Sequence, residues 1–154
     1  MGNGGHPVTI VVDVANVMGS RPDGWWRDRA GAAVRLHDQI ARLAASGRAS
    51  LPGAPGPDRE AERPGFVMVL EGAARAAADR LAAAERSGTE PAAPGEVRVV
   101  RARGSGDDAI VALVRELPGR RVVVTADRGL RERSVAAGAE IAGPGWLLGQ
   151  LDRG

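Results

Sequence analysis

Residues 8–14 read Val8-Thr9-Ile10-Val11-Val12-Asp13-Val14, an unbroken β-branched run with no polar–apolar alternation. A strand of that composition is buried on both faces, which points to the interior of a parallel sheet covered by helices. Phe66–Leu70, Glu96–Arg101 and Arg121–Thr125 repeat the signature, and Ala139–Ala142 offers a shorter version. Between these runs the spacing turns helical. Ala33, Leu36, Ile40 and Leu43 share one face, Ala73 to Arg86 is Ala-rich, and Ile110, Leu113, Val114 and Leu117 line a third stretch. Asp127–Ala136 and Trp146–Leu151 read as short closing helices. Strands alternating with helices imply right-handed crossovers, so the expected fold is a single three-layer α/β domain: a parallel sheet of about five strands with helices on both faces.

A chain of 154 residues holds one such domain, expected over 8–151. Residues 1–7 read as a flexible N-terminus. Segments 46–65 and 87–95, rich in Pro, Gly, Ser and charge, read as mobile loops. The absence of cysteine excludes a disulfide scaffold, a thiolate zinc site and a cysteine nucleophile, and two histidines are too few for a His-rich metal site. No apolar run approaches the roughly 20 residues of a membrane span. The start of the chain lacks the basic and apolar regions of a signal peptide. A cytoplasmic protein without a membrane partner is expected. All 21 basic residues are arginine, set against 19 acids, for a net charge of only +2. Nucleic-acid binding would therefore need a local arginine cluster.

The acids are unevenly placed. Asp13 ends the first strand and Glu71 immediately follows the second. Asp107 and Asp108 open the helix after the third, and Asp127 follows the fourth. In parallel sheets, functional groups collect beyond the carboxyl ends of the strands, so these five carboxylates map to one rim. Taken singly, Asp127 reads equally well as a helix cap, Asp107 and Asp108 as a complement to the helix dipole, and Glu71 as a solvated strand end. Asp13 resists that treatment, because an unpaired charge inside a buried run is costly. Carboxylates converging there would repel one another unless a cation neutralised them, and an all-oxygen donor set suits Mg²⁺ or Mn²⁺. Such an ion activates water and stabilises charge on a phosphoryl oxygen, which makes phosphodiester hydrolysis the natural reaction class.

Three motifs carry a family resemblance: Val11-Val12-Asp13-Val14-Ala15-Asn16-Val17, Gly106-Asp107-Asp108-Ala109-Ile110 and Val123-Val124-Thr125-Ala126-Asp127-Arg128. Together they resemble the PIN-like nuclease superfamily, in particular its NYN branch, over Val8 to Gly143 outside the two loops. The resemblance implies a parallel sheet between helices and metal-dependent RNA cleavage by clustered acids. It places Asp13, Asp107 and Asp127 as the catalytic, metal-holding acids, with Glu71 and Asp108 as further metal ligands. Asn16, Ser105 and Thr125 would orient water or ligands, and Arg128 would meet a phosphate. Glu71 matches only loosely, and the long 46–65 loop departs from small family members, leaving substrate choice open.

Other readings compete. Gly104-Ser105-Gly106-Asp107-Asp108-Ala109 fits G-x-G-x-x-A, with Asp127 about 20 residues on. However, two carboxylates in the first helical turn would repel a pyrophosphate, so no dinucleotide cofactor is expected. Ala15 stands where a haloacid-dehalogenase-type phosphatase needs a second Asp, and a receiver domain needs a lysine this chain lacks. Trp25 and Trp26 read mainly as packing residues, though they could offer bases a stacking platform. Trp146 reads as a core anchor, His37 as a half-buried helical residue, and Arg131 and Arg133 as a solvated face with ion pairs. Two functional alternatives stay open: a non-catalytic nucleic-acid-binding module of the same fold, and a metal-dependent nucleotide hydrolase. Oligomerisation is open as well.

Overall fold

In the computed structural model, residues 8–21, 24–49, 51, 63–77, 81 and 92–153 are described. Five strands, β1 (Val8–Asp13), β2 (Gly65–Leu70), β3 (Val97–Arg101), β4 (Arg120–Val124) and β5 (Glu140–Ala142), form one sheet in the order β3-β2-β1-β4-β5. Every pairing is parallel. β1 lies at the centre, with Val12 opposite Met68 on one side and Val124 on the other. Its six residues are all buried, as the continuous apolar run requires.

The strand period of two distributes the core between two layers. Ile10, Val12, Phe66, Met68, Val122 and Val124 belong to one apolar cluster. That cluster also takes in α1 (Val14–Gly19), α2 (Arg29–Ser46) and α5 (Pro144–Arg153), through residues such as Val17, Leu36, Ile40 and Leu147. Val11, Val67, Val69 and Val123 belong to the second cluster, with Ile110, Val114 and Leu117 of α3 (Gly106–Glu116) and Leu130 of α4 (Arg128–Ala136). Each fully buried aliphatic or aromatic side chain contributes about 1.5–3 kcal/mol. Gly65 is required by close approach: a Cβ there would stand 2.5 Å from the Ala92 carbonyl oxygen.

The structure departs from the sequence reading in two places. The first strand stops at Asp13, and Val14–Gly19 is helical, because the Asp13 carboxylate accepts from the Asn16 amide and so caps a helix that the β-branched residues obscure. Downstream of β2, the chain turns at Gly72 (φ 59°) into a 3-10 segment, Gly72–Ala76, where the spacing predicts the start of a helix from about Ala73; at Ala77 the chain is helical, and the Leu81 amide donates to the Ala77 carbonyl. The remainder of that expected helix falls largely outside the described residues, as do residues 1–7 and most of the two expected loops. What is described of the loops is anchored. Arg63 donates to the carbonyls of Ala44 and Ala45, and the Gly95 amide donates to Pro64. Among the described residues, no helix is long and apolar enough to cross a membrane.

β1 and β4 are neighbours, yet the chain leaves them toward opposite layers, into α1 and α4 respectively. The carboxyl ends of these two strands therefore flank the crevice where an open α/β sheet binds ligands.

Candidate acidic site

Asp13 stands at that crevice and is 6% exposed. One carboxylate oxygen accepts a hydrogen bond from Thr125 Oγ1 at 2.9 Å, and the other accepts from the Asn16 amide at 3.4 Å. Thr125, fully buried just past β4, in turn accepts from the Asp127 amide at 3.1 Å. Asn16 closes the same junction: its Oδ1 accepts from the Ala126 amide at 2.8 Å. The β1–α1 and β4–α4 turns are thus stitched together by Asp13, Asn16 and Thr125, all three singled out from sequence.

Burial is the main reason the Asp13 carboxyl is pushed up to about 6. The bonds from Thr125 and Asn16 pull the other way, and the negative charges of Asp107 and Glu71 add to the rise. Asp107, on the first turn of α3, is also raised, first by partial burial and then by Asp127 and Glu71. Four carboxylates, Asp13, Glu71, Asp107 and Asp127, therefore share one electrostatic neighbourhood although they come from four separate strand ends.

Each acid nevertheless has a local task. Glu71 Oε2 accepts from the Gly106 amide at 2.6 Å, bridging the end of β2 to the start of α3. A Cβ at position 106 would sit 3.0 Å from that carboxyl group, so glycine is what permits the approach. Asp127 caps α4, its Oδ1 accepting from the Leu130 amide at 2.8 Å. Ser105 caps α3 by accepting from the Asp108 amide at 3.2 Å. Asp108 points elsewhere. It is exposed and pairs with Arg133 of α4 at 2.9 Å; that bond, followed by one with Ser105, lowers its pKa. Arg128 is exposed at the start of α4, with no hydrogen bond or ion pair among the described residues.

Sequence reasoning did not foresee two arginine ties. Arg131 Nε donates to the Thr125 carbonyl at 2.9 Å, holding the β4–α4 turn from below. Arg133 meets Asp108 of α3, and not a neighbour on its own helix. Nothing in local spacing marks either, since both depend on how the turn and the helices pack.

The donor set fits a hard divalent cation in its chemistry: carboxylate and hydroxyl oxygens, with no sulfur or imidazole. In its geometry the set is open, for among the described residues no three acidic or imidazole groups are gathered closely enough to enclose an ion.

No protein-family model matches the sequence, and no curated protein matches it. Among solved structures the chain is similar to a crystal structure of Rae1 (YacP) from Bacillus subtilis, a tryptophan-to-leucine variant. The TM-score is 0.56 at 15% identity, over 94% of this chain and 75% of that one. At that identity the likeness concerns the fold alone, a three-layer α/β domain built around one parallel sheet.

Proposed function

We propose that the chain is a divalent-metal-dependent phosphodiester hydrolase that cuts RNA, with Asp13, Asp107 and Asp127 as its principal acids. The observation carrying this reading is Asp13: a carboxylate sunk at the switch point, its pKa raised by burial and by the charges of Asp107 and Glu71. The cap on α1 and the bond from Thr125 need an acceptor but no buried charge, whereas a cation-binding site uses the charge itself. Mg²⁺ or Mn²⁺, when bound, would supply an activated water and neutralise charge on the phosphoryl oxygen.

The chain's own residues divide the remaining work. Thr125 and Asn16 hold Asp13 in one rotamer and register it to the β4–α4 turn. Asp127 keeps one oxygen on its cap, leaving the other for the ion, and Glu71 does the same from its bond to Gly106. Asp107, on the first turn of α3, would complete the set. Asp108, committed to Arg133, stays outside it. Arg128, exposed one residue after Asp127, takes a substrate phosphate.

Calorimetric titration with Mn²⁺, run on the wild type and on Asp13→Asn, tests the reading alongside cleavage of a labelled single-stranded RNA. Wild-type binding and cleavage that the variant loses would support it. A wild type that neither binds Mn²⁺, alone or with RNA present, nor cleaves would overturn it in favour of a non-catalytic nucleic-acid-binding module.

A further inference from the structure

Beside the acidic rim lies a cleft of about 360 Å³ whose walls include Ala15, Met18, Trp25, Arg29, Glu71 and Gly104. Its size falls in the range of small-molecule clefts. One end abuts the site already described, since Ala15 lies between Asp13 and Asn16, Gly104 precedes Ser105, and Glu71 is shared. The other end is built from the segment leading into α2. Gly24, at φ 76°, turns the chain into a 3-10 turn, Trp25–Arg27, that projects two indoles. Trp25 is partly buried against the core, and Trp26 stands edge-on to it at 6.1 Å and is 54% exposed.

The arginines here are placed on rings. The Arg29 guanidinium lies 5.2 Å from the Trp25 ring centroid, and that of Arg27 lies 6.0 Å from the Trp26 ring. Neither forms a salt bridge among the described residues. An arginine held over an indole keeps its hydrogen-bond donors for an anion while its plane extends the stacking surface. The cleft thus joins an indole wall and the Arg29 guanidinium to Glu71 at the acidic rim, and exposed Trp26 and Arg27 follow Trp25 directly in the chain.

We propose that this cleft is a nucleotide subsite for single-stranded RNA: a base stacks on the Trp25–Arg29 wall, and Arg29 and Arg27 take the phosphate flanking it. The inference rests on the hydrolase reading for its substrate and deepens it by assigning the strand's approach. Stacking on side chains needs a base whose face is uncovered, which a single strand presents and a duplex does not. The carboxylates at the far end repel phosphate, so the strand's negative charge is drawn to the arginine side, and the backbone meets the acids only where a cation neutralises them.

Fluorescence anisotropy of labelled octaadenylate in EDTA, where metal-dependent cleavage is silent, tests the subsite on the full chain. Trp25→Leu is expected to weaken binding roughly five- to hundredfold, the span of base–aromatic stacking. Arg29→Gln is expected to weaken it severalfold, and the same sequence as a duplex to bind less tightly than the single strand. Unchanged affinity in both variants, or no wild-type binding, overturns the subsite. If circular dichroism shows Trp25→Leu unfolded, exposed Arg29 decides alone, and unchanged affinity in Arg29→Gln overturns it. Adenosine monophosphate binding as tightly as the oligomer overturns the strand assignment. Binding that depends on Trp25, from a protein that never cleaves RNA with Mn²⁺, would sink the hydrolase and keep the subsite. Cleavage with affinity indifferent to Trp25 and Arg29 would do the reverse.

Discussion

Replacing Asp13 with asparagine should make the metal-free fold more stable while removing its metal chemistry. The carboxyl is 6% exposed and pushed from 3.8 up to about 6. Because the native-state pKa lies above the unfolded value, the native state holds this proton more tightly. That contribution is fully present below about pH 4 and is lost as pH rises through about 6. A rise of about two units corresponds to about 3 kcal/mol of destabilisation by the ionised group at neutral pH. Asparagine keeps an acceptor for the Asn16 amide but turns an NH₂ group toward Thr125, which reduces the gain. The net expectation is therefore about 1–3 kcal/mol at pH 7.5, or a Tm higher by roughly 2–10 °C for a domain of this size. Urea and thermal denaturation in EDTA, at pH 4 and pH 7.5, would measure it, with the difference between the two proteins cancelling other titrating groups. The advantage of the variant should nearly vanish at pH 4. Saturating Mn²⁺ at pH 7.5 should then stabilise the wild type alone, by about 2.7 kcal/mol at a hundredfold excess over Kd. A variant no more stable than the wild type at pH 7.5, or a difference that ignores pH, would refute the reasoning.

Thr125→Val removes both the donor to Asp13 and the acceptor for the Asp127 amide. It should cost about 1–3 kcal/mol in urea denaturation and move the pH midpoint of Mn²⁺ binding upward, and an unmoved midpoint would count against the Thr125–Asp13 bond. Asp107→Asn should abolish Mn²⁺ binding by calorimetry, whereas Asp108→Asn should leave it within about twofold; equal losses would bring Asp108 into the ligand set. Arg121 donates to the Val114, Leu117 and Gly138 carbonyls, tying the end of α3 to the turn after α4. Arg121→Met should cost about 2–3 kcal/mol by denaturation, and a loss below about 0.5 kcal/mol would show those bonds to be dispensable. Gly65→Ala sets a methyl against the Ala92 backbone and should cost about 1–3 kcal/mol or more, with a neutral effect on Tm showing that the segment at Ala92 yields easily.

Much of the architecture was legible because burial writes itself into local composition. The continuous apolar runs located five strands to within a residue or so, and helical spacing located α2, α3, α4 and α5. Alternation of the two made the sheet parallel, and the strand ends brought Asp13, Glu71, Asp107, Asp108 and Asp127 to one rim. α1 was not legible, since its buried Val14, Val17 and Met18 span little more than one turn and Val14 continues the β-branched run of β1. The 3-10 segment after β2 was hidden for a related reason, because alanine favours helix locally wherever it stands.

What each acid does once it reaches the rim was settled by tertiary structure alone. The bonds from Thr125 to Asp13, from Gly106 to Glu71 and from Arg133 to Asp108 span 112, 35 and 25 residues. They exist because β1 lies beside β4, because the loop after β2 meets the start of α3, and because α3 packs against α4. Local spacing records how a segment buries its own side chains, and so it determined the layers and the rim. Strand order and helix packing decide which distant groups become neighbours. In this protein they separated one carboxylate into a surface ion pair and left four sharing a single field at the switch point.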